Sequence, residues 1–194
     1  LGDVYKRQGR LLPREVLTSL AGTLVRRNGL LIADEAFADF GPDASLVPEL
    51  PPGTMVLRSF GKAYGMAGLR LGFAIAPDEL ADRLRQELGP WAVSGPAIAI
   101  GAVALADQAW LDQARERLMA DAKRLDEILT RAGCAVIGGT PLFRLVETAN
   151  AASMADRLAR RGIHVRRFPY NAAWLRFGLP GGEDAWQRLA DALA

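Results

Sequence analysis

The sequence predicts an α/β fold with a mostly parallel sheet, followed by a small α+β domain, and three features lead to this prediction. Short apolar runs, typical of strands that are buried on both faces, alternate with amphipathic helical segments in the first half. A long helical pattern follows, with apolar residues along one stripe. Beyond it, short strands and helices are mixed. Because helix and strand alternate in the first half, we expect largely parallel pairing there.

The first half contains clear start and stop signals. Asn28 and Gly29 end the first helical pattern, and Pro77 opens a later one. A glycine-rich segment at 60–68 separates the second and third apolar runs. The predicted elements are a helix over 13–28, strands over 30–33, 55–57 and 69–76, and a helix from 77.

The second half predicts a separate domain. After a helix over 97–107, which ends the first domain, its predicted elements are a helix over 110–132, strands over 134–137 and 142–146, a helix near 153–161, strands around 163–166 and 174–177, and a closing helix from 183. We therefore expect a partial large domain over 9–106 and a small domain over 107–194. Residues 1–8 have no helical period and join the pattern abruptly, so we expect them to be a non-native scar.

Composition excludes several classes of protein. The formal net charge of the 194 residues is +2 and the basic residues are scattered, which argues against a nucleic-acid partner. No apolar run approaches the ~20 residues of a membrane span. A single cysteine, Cys134, and a single histidine, His164, argue against an intrachain disulfide, a metal site and a Ser-His-Asp triad. We expect a cytoplasmic protein without a metal.

Four polar residues near the predicted strand ends are candidates for chemistry. Asp34 and Ser59 end apolar runs, and ligands of open parallel sheets bind beyond the carboxyl ends of the strands. Lys62 follows in the glycine-rich segment, and Arg70 comes eight residues later at the next predicted strand. Serine and arginine suit a phosphate, while the spacing matches neither a P-loop nor a dinucleotide fingerprint. The remaining role for Lys62 is covalent chemistry through its amine.

These residues lie in motifs that resemble a known family. DEAF at 34–37, SFGK at 59–62 with Arg70, and LRFG at 175–178 are similar to the fold-type I, pyridoxal phosphate-dependent aminotransferases of classes I and II. The resemblance runs from Gly9 to the end and implies part of that family's large domain plus its small C-terminal domain. Within the superfamily, LGPWAVSGP at 88–96 and WLRFGLP at 174–180 are most similar to the threonine-phosphate decarboxylases of cobalamin biosynthesis. Histidinol-phosphate aminotransferases are the near neighbours.

The resemblance implies a role for each candidate residue. Lys62 would bond to the cofactor aldehyde, and Asp34 would face the pyridine nitrogen and keep it protonated. Ser59 and Arg70 would hold the cofactor phosphate, and Arg176 would bind the substrate carboxylate. Asp34 could instead cap a turn.

The sequence also contains a pair of arginines whose role it leaves undecided. Arg166 and Arg167 are adjacent and could bind a substrate phosphate. Side chains alternate along a strand, so at most one of the two faces the site.

Two departures from the family pattern affect the expected site. Phe37 stands where many relatives have a tyrosine that contacts the cofactor, so that contact is lost. The asparagine motif that precedes the counterpart of Gly9 in relatives is replaced by unrelated residues. We therefore expect a C-terminal fragment that is inactive alone. The resemblance implies a homodimer when the protein is full length.

The function implied by the resemblance is decarboxylation of L-threonine O-3-phosphate to (R)-1-amino-2-propanol O-phosphate. Transamination of a phosphorylated amino acid such as histidinol phosphate is the alternative, since both reactions would use the same residues. A non-catalytic regulatory domain that binds pyridoxal phosphate is an alternative of another class.

Overall fold

The structure, a computed structural model, describes residues 7–41 and 45–194. Its contacts form two units: an N-terminal unit of residues 11–41 and 45–114, and a C-terminal unit of residues 7–10 and 115–194. Most of the predicted scar at 1–8 lies outside the described residues. The domain bounds predicted at 9–106 and 107–194 stay a prediction.

The N-terminal unit contains the helices and strands that its sequence predicts. They are α1 (Arg14–Val25), β1 (Leu31–Asp34), β2 (Thr54–Ser59), β3 (Gly72–Ile75), α2 (Asp78–Leu88) and α3 (Gly95–Ala106). Pro13, with φ near −57°, precedes the first turn of α1, where its missing N–H costs nothing. Ser94 begins α3, because its hydroxyl accepts a hydrogen bond from the Ala97 N–H at 3.3 Å.

The three strands of this unit form one sheet in the order β1-β2-β3. The β1–β2 pair is parallel, with Asp34 level with Leu57, as the alternation of helix and strand predicts. Strand β3 pairs antiparallel with β2, with Ser59 opposite Gly72. The alternation did not predict this reversal. Its reason is that the segment 60–71 contains only turns and a short 3₁₀ helix, whereas a parallel return needs a crossover connection.

The C-terminal unit contains the second part of a long helix and a four-stranded sheet. Its elements are α4 (Gln108–Arg131, from Arg115 onward), β4 (Ala135–Thr140), β5 (Phe143–Glu147), α5 (Ala151–Arg160), β6 (Arg166–Phe168), β7 (Asn171–Gly178) and α6 (Glu183–Leu193). The strand order is β4-β5-β7-β6, and every neighbouring pair is antiparallel. Gly133, with φ near +77°, follows α4 in the left-handed conformation that commonly ends a helix.

Two predicted strands begin several residues later than predicted. A strand is predicted over 69–76, but Ala67–Leu69 form a 3₁₀ helix and β3 begins only at Gly72. The sequence predicts a strand around 163–166, but β6 begins only at Arg166. The Ile163 N–H donates instead to the Leu158 carbonyl at 2.9 Å, which closes the end of α5. Ladder pairing with β7 starts after this turn, so the strand shifts toward Phe168.

The two units differ in how well they bury apolar surface. The C-terminal unit has an extended core in which Leu129, Leu158 and Leu175 are almost completely buried. The N-terminal unit has a small cluster around Leu46 and Val56. The members of the larger core are Leu125, Ile128, Leu129, Cys134, Val146, Ala151, Met154, Ala155, Leu158, Val165, Leu175, Phe177, Trp186, Leu189, Ala192 and Leu193. Among the described residues, no helix has the length and apolarity needed to cross a membrane.

Helix α3 is apolar on every side and remains largely exposed. Ile98 is 59% exposed and Val103 is 74% exposed, although α3 contains no charged side chain between Gly95 and Ala106. A helix of this composition is normally buried. Helix α3 therefore presents an uncovered apolar surface in the N-terminal unit.

Candidate functional site

Asp34 is the last residue of β1 and lies at the carboxyl end of the sheet. Its Oδ1 accepts a hydrogen bond from the Ala36 N–H at 3.1 Å, so the carboxylate does cap the following turn. The side chain is nevertheless exposed beyond the strand. Turn capping and an exposed position at the strand end therefore occur together, and the cap does not exclude a ligand role.

Lys62 lies in the turn that follows β2, and its side chain reaches back to the segment after β1. Lys62 Nζ is 5.5 Å from the centroid of the Phe37 ring, where a cation is attracted by the π electrons. Phe37 is three residues beyond Asp34. The structure therefore brings the half-buried lysine against the turn that the predicted carboxylate begins.

Ser59 and Arg70 mark the two ends of the loop that carries Lys62. Ser59, the last residue of β2, pairs with Gly72, and the Phe60 N–H donates to the Leu71 carbonyl at 3.2 Å. These contacts close the loop, so that Ser59 and Arg70 lie at the same edge of the sheet.

Arg70 has an unusual backbone conformation. Its φ of 55° and ψ of 36° are left-handed, a region that non-glycine residues adopt at an energetic cost and that is enriched at functional sites. Its side chain is exposed and its Nη1 donates to the Ala67 carbonyl at 3.3 Å. The structure thus places Arg70 at the predicted edge without a described contact to Ser59 or Lys62.

Aromatic packing holds the same loop in place. The rings of Phe60 and Tyr64 stack with centroids 4.3 Å apart, and Tyr64 stacks on Trp110 at 6.0 Å. Phe60 is almost completely buried. The loop between Ser59 and Arg70 is therefore anchored by its aromatic side chains on both sides of Lys62.

Arg176 belongs to the C-terminal unit and lies directly opposite Arg166 in the β6–β7 ladder. Arg176 is half-buried, its guanidinium lies 4.6 Å from the centroid of the Phe143 ring, and its Nη1 donates to the Arg7 carbonyl at 3.4 Å. Burial lowers the pKa of Arg176, and the charges of Arg166 and Arg7 lower it further. Three positive charges thus lie close together in this unit.

The structure decides which of the two adjacent arginines accompanies Arg176. Arg167 points away and forms an exposed ion pair with Asp156. Arg166 lies 5.5 Å from the centroid of the Phe168 ring, and its Nε is buried without a hydrogen-bond partner. A buried donor without a partner, facing another guanidinium, is a site where a bound anion would satisfy both charge and hydrogen bonding. The alternation of side chains along a strand predicts that only one of the two arginines lies on the same face as Arg176, but not which one.

His164 and Cys134, the other two residues considered from the sequence, show no catalytic arrangement in the described part of the chain. His164 is exposed and Cys134 is buried, with its Sγ 3.8 Å from the Met154 sulfur. Burial raises the pKa of the Cys134 thiol, which makes it less reactive. No group of three histidine, cysteine, aspartate or glutamate side chains that could hold a metal occurs within residues 7–41 and 45–194.

One buried polar network was missed by sequence reasoning. Arg58, next to Ser59, forms ion pairs with Glu35 and Asp39. All three residues are charged and lie in or beside the DEAF and SFGK motifs, yet no sequence pattern showed that they contact one another. The signal available was an arginine within an otherwise apolar strand, which needs a partner when buried.

Comparison with known proteins identifies related chains. The profile of the family described as aminotransferase class I and II matches residues 7–193. A threonine-phosphate decarboxylase of Pseudomonas aeruginosa is 45% identical over 186 residues, which cover 95% of this chain and 56% of that protein. A threonine-phosphate decarboxylase of Sinorhizobium sp is 40% identical over 188 residues, or 96% of this chain and 56% of that protein.

A solved structure has the same fold. The crystal structure of histidinol-phosphate aminotransferase from Sinorhizobium meliloti in complex with pyridoxal-5'-phosphate superposes with a TM-score of 0.77 at 26% identity, covering 96% of this chain and 53% of that chain. This likeness confirms the predicted fold class. The chain spans little more than half the length of the proteins that it matches.

Proposed function

On the premise that this chain belongs to the aminotransferase class I and II family, we propose that it carries part of the active site of a pyridoxal phosphate-dependent decarboxylase. The substrate is L-threonine O-3-phosphate and the product is (R)-1-amino-2-propanol O-phosphate, the unit that the resemblance assigns to the cobalamin side chain. The 45% and 40% identity to two threonine-phosphate decarboxylases supports this substrate. The observation that carries the proposal is the position of the Lys62 amine against the turn that Asp34 begins.

The residues at the sheet edge fit the cofactor by their chemistry. Lys62 supplies an amine that can bond to the cofactor aldehyde, and Asp34 supplies a carboxylate for the pyridinium proton. Ser59 and Arg70, at the two ends of one closed loop, supply a hydroxyl and a guanidinium for the phosphate. Pyridoxal phosphate, when bound, supplies the electron sink that accepts the pair released at the substrate Cα.

Phe37 is a position at which the described residues depart from the family pattern. Its ring carries no hydroxyl to donate to the cofactor, and it instead packs under the Lys62 amine. The contact with this ring places the Lys62 amine beside the turn that follows Asp34.

Each side chain then has a defined task in the reaction. Asp34 holds the proton on the pyridine nitrogen by its negative charge. The substrate carboxylate departs as CO2 when its bond to Cα breaks, and Lys62 Nζ delivers a proton to the same carbon. Arg176 binds the substrate carboxylate before this step, and Arg166 binds the phosphate. The charge of Arg166 and Arg176 matches a substrate that carries two anionic groups.

Transamination of a phosphorylated amino acid is the second candidate. It is favoured by the structural likeness to a histidinol-phosphate aminotransferase. The same Lys62 would then move a proton from Cα to the cofactor, and no carbon would be lost.

The complete protein is the subject of the test, with the residues that precede this chain in its relatives restored. Threonine phosphate is supplied with pyridoxal phosphate, and CO2 release and the phosphorylated products are measured. CO2 with aminopropanol phosphate supports the decarboxylase. A phosphorylated keto product formed with an amino acceptor overturns it in favour of transamination, and cofactor binding without turnover overturns both.

We also propose that the complete protein is a homodimer. The exposed apolar side chains of α3 support this, since a soluble protein rarely leaves a large apolar surface uncovered. Sedimentation equilibrium of the complete protein would show twice the monomer mass, and a monomer at micromolar concentration would contradict the proposal.

A further inference from the structure

Arg58 lies at the centre of an ionic network behind the candidate site. Its guanidinium contacts three groups: Nη1 donates to Asp39 Oδ1 and Nη2 donates to Ser45 Oγ, both at 2.9 Å, while Nε lies 3.2 Å from a Glu35 oxygen in an ion pair without hydrogen-bond geometry. The Arg58 side chain is 19% exposed, and those of Glu35 and Asp39 are 9% and 17% exposed. Only the planar fork of arginine can serve three partners in this way.

Glu35 extends the network to a further segment of the chain. Its carboxylate accepts hydrogen bonds from the Ser45 hydroxyl and the Leu46 N–H, both at 2.7 Å. A carboxylate with two donors and an adjacent guanidinium is held in one orientation. The turn after β1 is therefore fixed to both Leu46 and β2.

The register explains why this network lies next to the candidate site without being part of it. Asp34 is level with Leu57 in the parallel ladder, and the Glu35 N–H donates to the Leu57 carbonyl at 2.9 Å. Continuing that register puts Glu35 beside Arg58. Because side chains alternate along strands, Arg58 points to the opposite face from Ser59, its neighbour in β2.

We propose that Arg58 is a positioning residue that fixes Asp34 with respect to Lys62. The turn held by Arg58, from Glu35 to Asp39, begins directly after Asp34 and includes Phe37, on which the Lys62 amine rests. Releasing the network would let this turn move, and Asp34 would lose its fixed place at the end of β1. This inference rests on the proposed function, because it assigns Asp34 and Lys62 to one bound cofactor.

The test is a double-mutant cycle on cofactor affinity in the complete protein. We compare Arg58→Met, Asp34→Asn and the combined variant, and measure the dissociation constant of pyridoxal phosphate by absorbance titration. If Arg58 acts through Asp34, Arg58→Met weakens binding about tenfold when Asp34 is present, but less than about twofold in the Asp34→Asn background. A merely structural arginine would weaken binding by the same factor in both backgrounds.

A matched control separates positioning from stability. Arg144 in β5 is also 19% exposed and pairs with Asp126 at 2.7 Å, but it lies in the C-terminal unit. Arg144→Met should lower the unfolding temperature about as much as Arg58→Met while leaving cofactor affinity unchanged. Arg58→Lys should not restore affinity, because an ammonium cannot reach three partners in one plane.

The outcomes separate this inference from the function on which it rests. If the unmodified protein forms no borohydride-stable adduct at Lys62, the proposed function falls and the inference with it. Two results would overturn only the inference while the adduct still forms. Either the factors by which Arg58→Met and Asp34→Asn weaken cofactor binding multiply in the combined variant, or Arg58→Met binds the cofactor normally. Should Arg58→Met fail to fold, Asp39→Asn, which removes one charge and keeps the shape, enters the same cycle with the same criterion.

Discussion

Replacing Arg166 by methionine should make the empty protein more stable and its substrate binding weaker. Arg166 and Arg176 are direct ladder partners, and like charges directly opposite each other cost about 0.2–1 kcal/mol. The buried Arg166 Nε without a partner costs roughly a further 1–3 kcal/mol. Methionine keeps the apolar stem and removes both costs.

One favourable contact is lost in the same substitution. The guanidinium lies 5.5 Å from the centroid of the Phe168 ring, an interaction worth about 0.5–1 kcal/mol. The balance is a gain of roughly 1 kcal/mol in the free energy of unfolding without ligand. Loss of a charged hydrogen bond to the substrate phosphate costs about 1.5–3 kcal/mol, which corresponds to roughly a 10–150-fold rise in KM.

The assay compares two adjacent arginines in the complete protein. Urea unfolding without ligand gives the stability, and steady-state kinetics with threonine phosphate and with threonine gives the phosphate-dependent part of KM. Arg167→Met is the matched control, because Arg167 is exposed and pairs with Asp156 on the other side of the strand. Destabilisation by Arg166→Met together with an unchanged KM for threonine phosphate would refute the assignment of an anion site.

Two further predictions concern the fold of the C-terminal unit. Gly139→Ala should lower the free energy of unfolding by more than about 2 kcal/mol, because a Cβ at this position would lie 2.5 Å from the Phe143 carbonyl oxygen. Gly133→Ala has open space around it and should cost only about 1 kcal/mol, because the φ of Gly133 is positive. Equal losses for the two variants in urea unfolding would contradict this prediction. Burial raises the pKa of the Cys134 thiol, so its contribution to stability is complete below the ordinary thiol pKa and is lost as pH rises above about 8.5. Cys134→Ala should therefore lose stability less steeply as the pH rises above about 8.5, and identical slopes in urea unfolding would contradict the argument.

The local elements were predictable because apolar spacing and capping residues act over short distances. The run at 30–33 and Pro77 indicated a strand and a helix start close to those of β1 and α2. The reversal of β3 was not predictable, since the pattern of a short apolar strand is the same in parallel and antiparallel pairing. The length and turn content of the connecting loop decide it.

The candidate site was predictable in its residue types and only partly in its contacts. A lysine after SFG and an aspartate after an apolar run could be predicted as site residues, because their chemistry suits a covalently bound cofactor. The contact of Lys62 with Phe37 and the network around Arg58 depend on how loops return to the sheet, which sequence spacing does not reveal. The choice of Arg166 over Arg167 depends on strand phase, which a shift of one residue would invert.

The central claim is tested most directly by locating the covalent bond. The complete protein is saturated with pyridoxal phosphate, reduced with borohydride and digested, and the modified peptide is identified by mass spectrometry. The adduct should be found on Lys62, and on neither Lys6 nor Lys123, the other two lysines of this chain. An unmodified Lys62 in cofactor-saturated protein would contradict the account.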